Sequence, residues 1–491
     1  MNGKVILIGA GPGDPGLLTL KGRRLLAEAD VVVYDRLVGA EILAMMPDRA
    51  EKINVGKNSG RHPVPQHEIN QILLGKALEG KTVVRLKGGD CFLFGRGGEE
   101  LELLAEHGVS FEVVPGVPSP IAATAYAGIP VTHRDFCASV HFITGHRRED
   151  GTLNLDYGAL VRLNGTLVFL MSVATCGEIA EGLIAAGMQP DMDCAVIENG
   201  TRANQRKFVA TVGSIERTVE ENHVVSPALI VVGRVCRLSD EFDWFSSRPL
   251  FGRRILVTAP AASGSRLAEK LRARGADVTV CPVIETVPLD FVPPELSGFR
   301  AAVFTSAFGV RTFFTRLFAA GRDARVFSAT KIAAIGSGTA AALREFGLTA
   351  DLVPDSFHAE ALAKSMLETG MVRPGDRIAL LRAKDGNPVL GELLRAGGAE
   401  TAELPIYETR PLPYEGAAPD TFDYVTFTSA SGAESFAHSC SLGGFTDLSR
   451  IRALCIGAQT AAAADRAGFL TCQSNQATLD SMADYLEEAF S

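Results

Sequence analysis

The second half of the chain carries an internal copy of itself, and this limits its fold more than any other feature. Phe304-Thr305-Ser306-Ala307 returns as Phe427-Thr428-Ser429-Ala430. Ile335-Gly336-Ser337-Gly338-Thr339-Ala340 returns as Ile456-Gly457-Ala458-Gln459-Thr460-Ala461, and Pro282-Val283-Ile284-Glu285-Thr286 as Pro405-Ile406-Tyr407-Glu408-Thr409. The offset is 121 to 123 residues each time. Two copies are too few for a solenoid, which needs about three or more. They specify two similar lobes, and a two-lobed protein holds its ligand in the cleft between them.

Short β-rich runs alternate with helical patterns along the whole chain. Val5–Ile8, Val31–Tyr34, Val83–Leu86 and Phe111–Val114 read as strands, and Glu99–His107, apolar at Leu101, Leu104 and Ala105, reads as a helix stopped by Gly108. The alternation predicts α/β architecture with parallel sheets. Composition shifts at Leu238–Arg254, which is polar, aromatic and proline-containing and holds the lone Trp244. We therefore expect one half at 1–237, a linker at 238–252 and a second half at 253–491.

A net charge of −9 argues against a general nucleic-acid or anionic-membrane surface, because phosphate binding needs a basic face. It leaves room for a local basic cleft. The nine cysteines form no Cys-x-x-Cys, which predicts a reduced compartment without a zinc site. His62 and His67 lack partners at metal-ligand spacing, so no metal is expected. The N-terminal apolar stretch is too short for a signal peptide, and no apolar run reaches the roughly 18 residues of a spanning helix. The expected location is the cytoplasm.

The chemistry of the first half concentrates where strands end. Gly9-Ala10-Gly11-Pro12-Gly13-Asp14-Pro15 follows the first strand, the place where α/β folds bind ligands. It departs from the dinucleotide fingerprint, whose last glycine would fall at Asp14. Val83-Val84-Arg85-Leu86-Lys87-Gly88-Gly89-Asp90 ends in two glycines that let backbone approach a ligand, with Asp90 placed to accept from a ribose or an amino group. Pro115–Ser119, Gly128–Arg134, Thr144–His146 and Ser226–Ala228 are further segments of this kind.

Together these segments, with Val55–Asn70 (VGKNSGRHPVPQHEIN) and Asp35-Arg36-Leu37-Val38, closely resemble the uroporphyrinogen-III C-methyltransferases of the tetrapyrrole methylase superfamily, over about residues 3 to 237. The resemblance implies a two-lobed tetrapyrrole methylase fold, S-adenosyl-L-methionine as methyl donor, and a homodimer. It places cofactor contacts at Pro12, Gly88, Gly89, Asp90, Leu93, Pro118, Ser119, Met171, Gly200 and Ala228. It makes Asp35 the proton acceptor and Lys57 the proton donor. Alternatively, Asp35 pairs with Arg36 or caps a helix, and Lys57 grips a substrate carboxylate. Cys91 and Pro118 stand where the family usually has proline and threonine. A substrate with eight carboxylates calls for cations along the cleft, for which Arg36, Arg61, Arg85, Lys87 and Arg134 are candidates.

Residues 253 to 491 resemble uroporphyrinogen-III synthase, through Ile255–Thr258, Phe304–Val310, Ala334–Ala340, Leu404–Thr409 and Ile456–Ala461. The resemblance implies one lobe from 253–286 plus 410–491, another from 287–409, and two connecting strands near Thr286–Pro288 and Thr409–Pro411. It implies cyclisation of hydroxymethylbilane to uroporphyrinogen III with inversion of ring D, in which the enzyme mainly folds and holds a reactive chain. Tyr407 is then a candidate proton donor to the leaving hydroxyl, or a core tyrosine at a strand end. Ser306, Ser337, Thr339, Ser429 and Thr460 are candidate carboxylate contacts, helix caps, or both at once. Ala259 stands where the family often has arginine. The competing reading is another tetrapyrrole or cobalamin-pathway methyltransferase joined to a non-catalytic two-lobed binding module; Val55–Asn70 argues against it. The residues leave open whether the product serves siroheme, cobalamin or another modified tetrapyrrole.

Overall fold

A computed structural model describes residues 3–56, 64–147, 150–258, 261–281, 283–356 and 358–491. Lys57, Arg61, His62 and Ala259 lie outside the described residues. The chain forms two compact units, the first of Met1–Ile255, Glu269–Val278 and Ala483–Ser491, the second of Leu256–Ala268 and Thr279–Met482. The segments 269–278 and 483–491 are tied to each other by Arg274, whose guanidinium reaches Asp484 at 2.5 Å and Glu487 at 3.0 Å.

Among the described residues, four five-stranded sheets carry the fold. The first holds β1 (Lys4–Gly9), β2 (Val31–Tyr34), β3 (Glu51–Asn54), β4 (Thr82–Lys87) and β5 (Ser110–Val114) in the order β3-β2-β4-β1-β5. All its pairs are parallel. Ile6, Ile8, Val32, Val84 and Leu86 are buried on one face, and Val5, Leu7, Val31, Val33 and Val83 on the other. Helices cover both faces, which is why β1 and β2 are almost wholly apolar.

The second sheet, β6 (Val140–Thr144), β7 (Thr166–Leu170), β8 (Asp193–Glu198), β9 (Arg206–Thr211) and β10 (Ala228–Val232), runs β6-β7-β10-β8-β9. Here the parallel expectation is corrected: only β6 and β7 are parallel, and the other three pairs are antiparallel. The connection from Glu198 to Arg206 is too short for the crossover of a dozen or more residues that a parallel pair requires.

The third sheet joins β11 (Arg254–Val257) and β12 (Asp277–Val280) to β18 (Tyr424–Phe427), β19 (Arg452–Cys455) and β20 (Leu470–Gln473). The fourth holds β13 (Ile284–Pro288), β14 (Ala301–Phe304), β15 (Lys331–Ala334), β16 (Arg377–Ala383) and β17 (Glu400–Pro411) in the order β13-β17-β16-β14-β15. The crossing strands β13 and β17 pair antiparallel, with Thr286 opposite Thr409. The stretch 238–252 is no loose tether, since Phe245 and Leu250 are buried.

Candidate active site

In the first unit the expected cofactor residues gather at the edges of two sheets. β1, β4 and β5 end together, with Gly9 opposite Lys87 and Ile8 opposite Val114. The loops beyond them approach backbone to backbone: Gly11 and Gly89 exchange N–H···O bonds of 3.1 and 2.8 Å. A Cβ on Gly116 would lie 2.2 Å from the Gly89 oxygen, and one on Gly9 would lie 2.5 Å from the Gly116 nitrogen. Asp90 organises this corner. Its Oδ1 accepts from the N–H groups of Phe92 and Leu93 at 2.8 and 2.9 Å, and its Oδ2 accepts from that of Gly116 at 3.1 Å. Gly116→Ala is therefore expected to push the Gly88–Asp90 turn aside and weaken S-adenosylhomocysteine binding by about ten-fold or more, as overpacking against backbone does; calorimetric titration checks it.

The second sheet contributes its own edge. Leu170 pairs with Leu229 and Glu198 with Ala228, so Met171, Ala228 and Gly200 lie at one end of three adjacent strands. Met171 adopts φ 55° and is exposed. The two edges meet: a Cβ on Gly200 would lie 2.3 Å from the Ala123 Cβ, on the helix Ser119–Tyr126 that Pro118 leads into. Across the same gap Arg202 donates to the Leu37 carbonyl at 3.0 Å.

Asp35 follows β2 on this edge, its backbone N–H bonded to the Leu86 carbonyl. Its carboxylate, 29% exposed, accepts from Arg85 Nη2 at 2.8 Å. Arg85 and Lys87 stand on the same face of β4 as Val83 and are only 2% and 4% exposed. Both point at Glu100, which is 0% exposed: Arg85 Nε reaches Oε1 at 3.0 Å, Lys87 Nζ at 2.7 Å, and Gln66 Nε2 adds a third donor at 3.2 Å. The expectation that Arg85 and Lys87 meet substrate carboxylates is corrected here, because both cations are buried and committed to Glu100 and Asp35. Burial and the neighbouring Arg85 lower the Lys87 pKa; the Arg85 pKa is raised, its burial being outweighed by Asp35 and Glu100. Arg36 and Arg134 are exposed.

Sequence reasoning missed Glu100. Its signal was an acid in the inward stripe of the helix Gly97–Glu106, where Gly97, Glu100 and Leu104 are the buried positions. Two cations at alternate positions of a core strand require such a partner.

In the second unit the duplication reappears as geometry. Ser306 caps the helix Ala307–Ala319 and Ser429 the helix Ala430–Leu442, each accepting from the N–H three residues on, at 2.9 and 3.0 Å. Their backbone angles agree closely, φ −159° and ψ 153° against φ −158° and ψ 154°. Ser337 opens the helix Ser337–Glu345, and Thr460 lies in the first turn of Ala458–Arg466. Because β14 is parallel to β15, and β18 to β19, each sheet sets two helix starts side by side. Such pairs present free N–H groups suited to carboxylates. Thr339 and Thr460 are buried. Ser306→Ala and Ser429→Ala are each expected to cost about 1 kcal/mol as lost caps, read as faster hydrogen exchange in the first turns of the two helices. The Tyr407 ring packs as the core alternative expects. It is 8% exposed, packed in the lobe core and set edge-on to Phe308 with ring centroids 5.3 Å apart.

The family model for tetrapyrrole (corrin/porphyrin) methylases matches residues 4–216, and that for uroporphyrinogen-III synthase HemD matches residues 265–484. The chain is 47% identical to a porphyrin biosynthesis protein HemD of Ruminiclostridium josui, over 99% of this chain and 98% of that one. The chain belongs to this family of fused methylase–synthase proteins. It is also 42% identical to a uroporphyrinogen-III C-methyltransferase of Bacillus subtilis, covering 72% of this chain and 74% of that one. With an S-adenosyl-L-methionine-dependent uroporphyrinogen III methyltransferase of Methanosarcina barkeri it shares 56% identity, over 48% of this chain and 94% of that one. The protein is a bifunctional enzyme of tetrapyrrole biosynthesis, with an S-adenosylmethionine-dependent methylase half and a uroporphyrinogen-III synthase half.

The methylase edge fits the methyl donor. At Gly89, with φ 71°, a Cβ would meet only the Ser119 nitrogen at 3.9 Å, so the loop borders open space that a side chain would invade. Asp90 Oδ2 has a single N–H donor and retains capacity for another. Cys91 is buried, and burial, with Asp90 adding to it, pushes its thiol up to about 12. It fills the place of the family's proline as an unreactive apolar residue. Among the described residues no group of three or more His, Cys, Asp or Glu is placed to hold a metal ion, and no helix is long and apolar enough to cross a membrane.

Proposed function

We propose that the synthase half cyclises hydroxymethylbilane to uroporphyrinogen III with inversion of ring D, and that the methylase half adds methyl groups at carbons 2 and 7 to give precorrin-2. The observation that carries the methylase reading is the meeting of two sheet edges beside Asp35. Bound there, S-adenosylmethionine supplies an electrophilic sulfonium methyl. Gly88, Gly89, Asp90, Leu93, Pro118 and Ser119 on one edge, with Met171, Gly200 and Ala228 on the other, hold the donor. Pro12 closes the first loop. Holding the reactants together and excluding water lowers the barrier to attack by an electron-rich pyrrole carbon.

Asp35 takes the proton that the alkylated macrocycle must lose. Its partner Arg85 keeps the carboxylate oriented. Arg36 and Arg134 meet substrate carboxylates, as do Lys57 and Arg61, with Lys57 also the proton donor. In the synthase half, Ser306, Ser337 and Ser429 and the helix starts they occupy hold the carboxylates of the folded bilane. The halves divide within 238–252. The methylase half forms a homodimer, which sedimentation velocity tests, and the enzyme works in the cytoplasm.

Purified chain supplied with hydroxymethylbilane and S-adenosylmethionine, without oxygen, is expected to yield dimethylated precorrin-2, followed by absorbance and mass. Accumulation of unmethylated uroporphyrinogen I alone would sink the synthase reading. Failure to methylate added uroporphyrinogen III would sink the methylase reading.

A further inference from the structure

We propose that Tyr126 is a positioning residue for the methyl donor, locking three donor-binding segments together, and that Trp244 braces it. This rests on the donor site proposed above. Four residues close a ring of hydrogen bonds. The Asp14 N–H donates to Thr201 Oγ1 at 3.2 Å, and the Thr201 N–H to Gln205 Oε1 at 2.8 Å. Gln205 Nε2 donates to the Tyr126 carbonyl at 3.1 Å, and the Tyr126 hydroxyl returns to Asp14 Oδ2 at 2.7 Å. Three of the four corners stand on donor-binding segments. Asp14 shares its loop with Pro12, Thr201 follows Gly200, and Tyr126 ends the helix that Ser119 begins. Loop, helix and strand end thus move as one body or not at all.

The ring carries load at two corners. Thr201 is buried and held at φ 70°, a strained conformation for a β-branched residue. Asp14 spends its other oxygen on the Gly16 N–H at 2.7 Å, so its carboxylate is fixed from both sides. Burial and the bond to Asp14 raise the Tyr126 pKa, so the phenol remains a donor.

The segment after β10 supports this tyrosine from behind. The Tyr126 ring lies 4.9 Å from Trp244 and 4.7 Å from Phe245, centroid to centroid. Trp244 Nε1 donates to the Ala125 carbonyl at 2.9 Å, and the Arg248 guanidinium sits 4.7 Å above the indole. The chain's one tryptophan therefore touches the residue that holds the donor loop, and reports on it.

The test is titration of the full chain with S-adenosylhomocysteine, read by Trp244 emission and by calorimetry. Wild-type emission is expected to change on binding. Tyr126→Phe removes one hydrogen bond to a charged group and is expected to weaken binding about ten-fold. The KM for the donor should rise similarly while kcat changes less than about two-fold. Thr201→Val breaks the ring elsewhere and is expected to act in the same direction, which guards against a folding defect particular to position 126. Wild-type affinity in both variants, with wild-type saturation binding intact, overturns the positioning role alone. Wild-type protein that binds no S-adenosylhomocysteine overturns the donor site and this inference together.

Discussion

Asp35→Asn is expected to slow methyl transfer by about 10²- to 10⁴-fold, the usual worth of a positioned general base. Asparagine keeps the shape of the side chain and an oxygen that can accept from Arg85, so the surrounding fold should persist while the proton acceptor is gone. The loss should fall on kcat, with the affinity for S-adenosylhomocysteine little altered, because the donor-binding glycines lie on other loops. Single-turnover methylation of uroporphyrinogen III without oxygen gives the rate directly. A rate within two-fold of wild type would remove Asp35 from the chemistry and leave it as a partner of Arg85. The synthase half serves as an internal control, since its rate should not change.

Glu100→Ala carries the largest expected structural effect, a destabilisation of the methylase half by about 3–5 kcal/mol, as follows when one partner of a buried ion pair is removed. Glu100 is the shared acceptor of Arg85 and Lys87, both buried. Without it, two cations in the centre of a parallel sheet lose their common counter-charge, although Arg85 keeps Asp35. Glu100→Gln retains an acceptor and should lie between the two. The chain has two compact units, so a single unfolding free energy is not well defined. The measurement is hydrogen exchange of the β4 amides, expected to accelerate in Glu100→Ala. Unchanged protection would show that the cluster contributes nothing to stability.

The sequence announced β1, β2, β4 and β5 because their buried positions form apolar runs, and missed β3, a polar edge strand without such a run. It announced the glycine loops because only glycine permits the contacts at Gly9, Gly89 and Gly116. Arg85 and Lys87 misled for a related reason: a cation in a motif looks available until its partner is known, and that partner lies 13 to 15 residues away on another element. Tyr407 left two readings open because closeness to a lobe crossing in sequence says nothing about which way a ring packs. The antiparallel second sheet was hidden because helices also intervene between some antiparallel strands, so alternation alone does not fix direction. The ring through Asp14 and Tyr126 joins residues 112 positions apart and leaves no local pattern.

The pairing of β13 with β17 has a consequence for how the synthase half distinguishes the ends of a linear substrate. Thr286 lies opposite Thr409, and these two are the same residue of the repeat, one in each copy. Equivalent residues sit face to face across an antiparallel pair only where a two-fold axis passes between them. The crossing is thus the pseudo-dyad of a dimer written into one chain. Perfect symmetry would offer both ends of the substrate the same grip and leave their distinction to the leaving hydroxyl that only one end carries. Any selectivity that the protein itself adds has to come from positions where the copies have diverged, and Ser337 against Ala458, with Gly338 against Gln459, are two such positions at the helix starts.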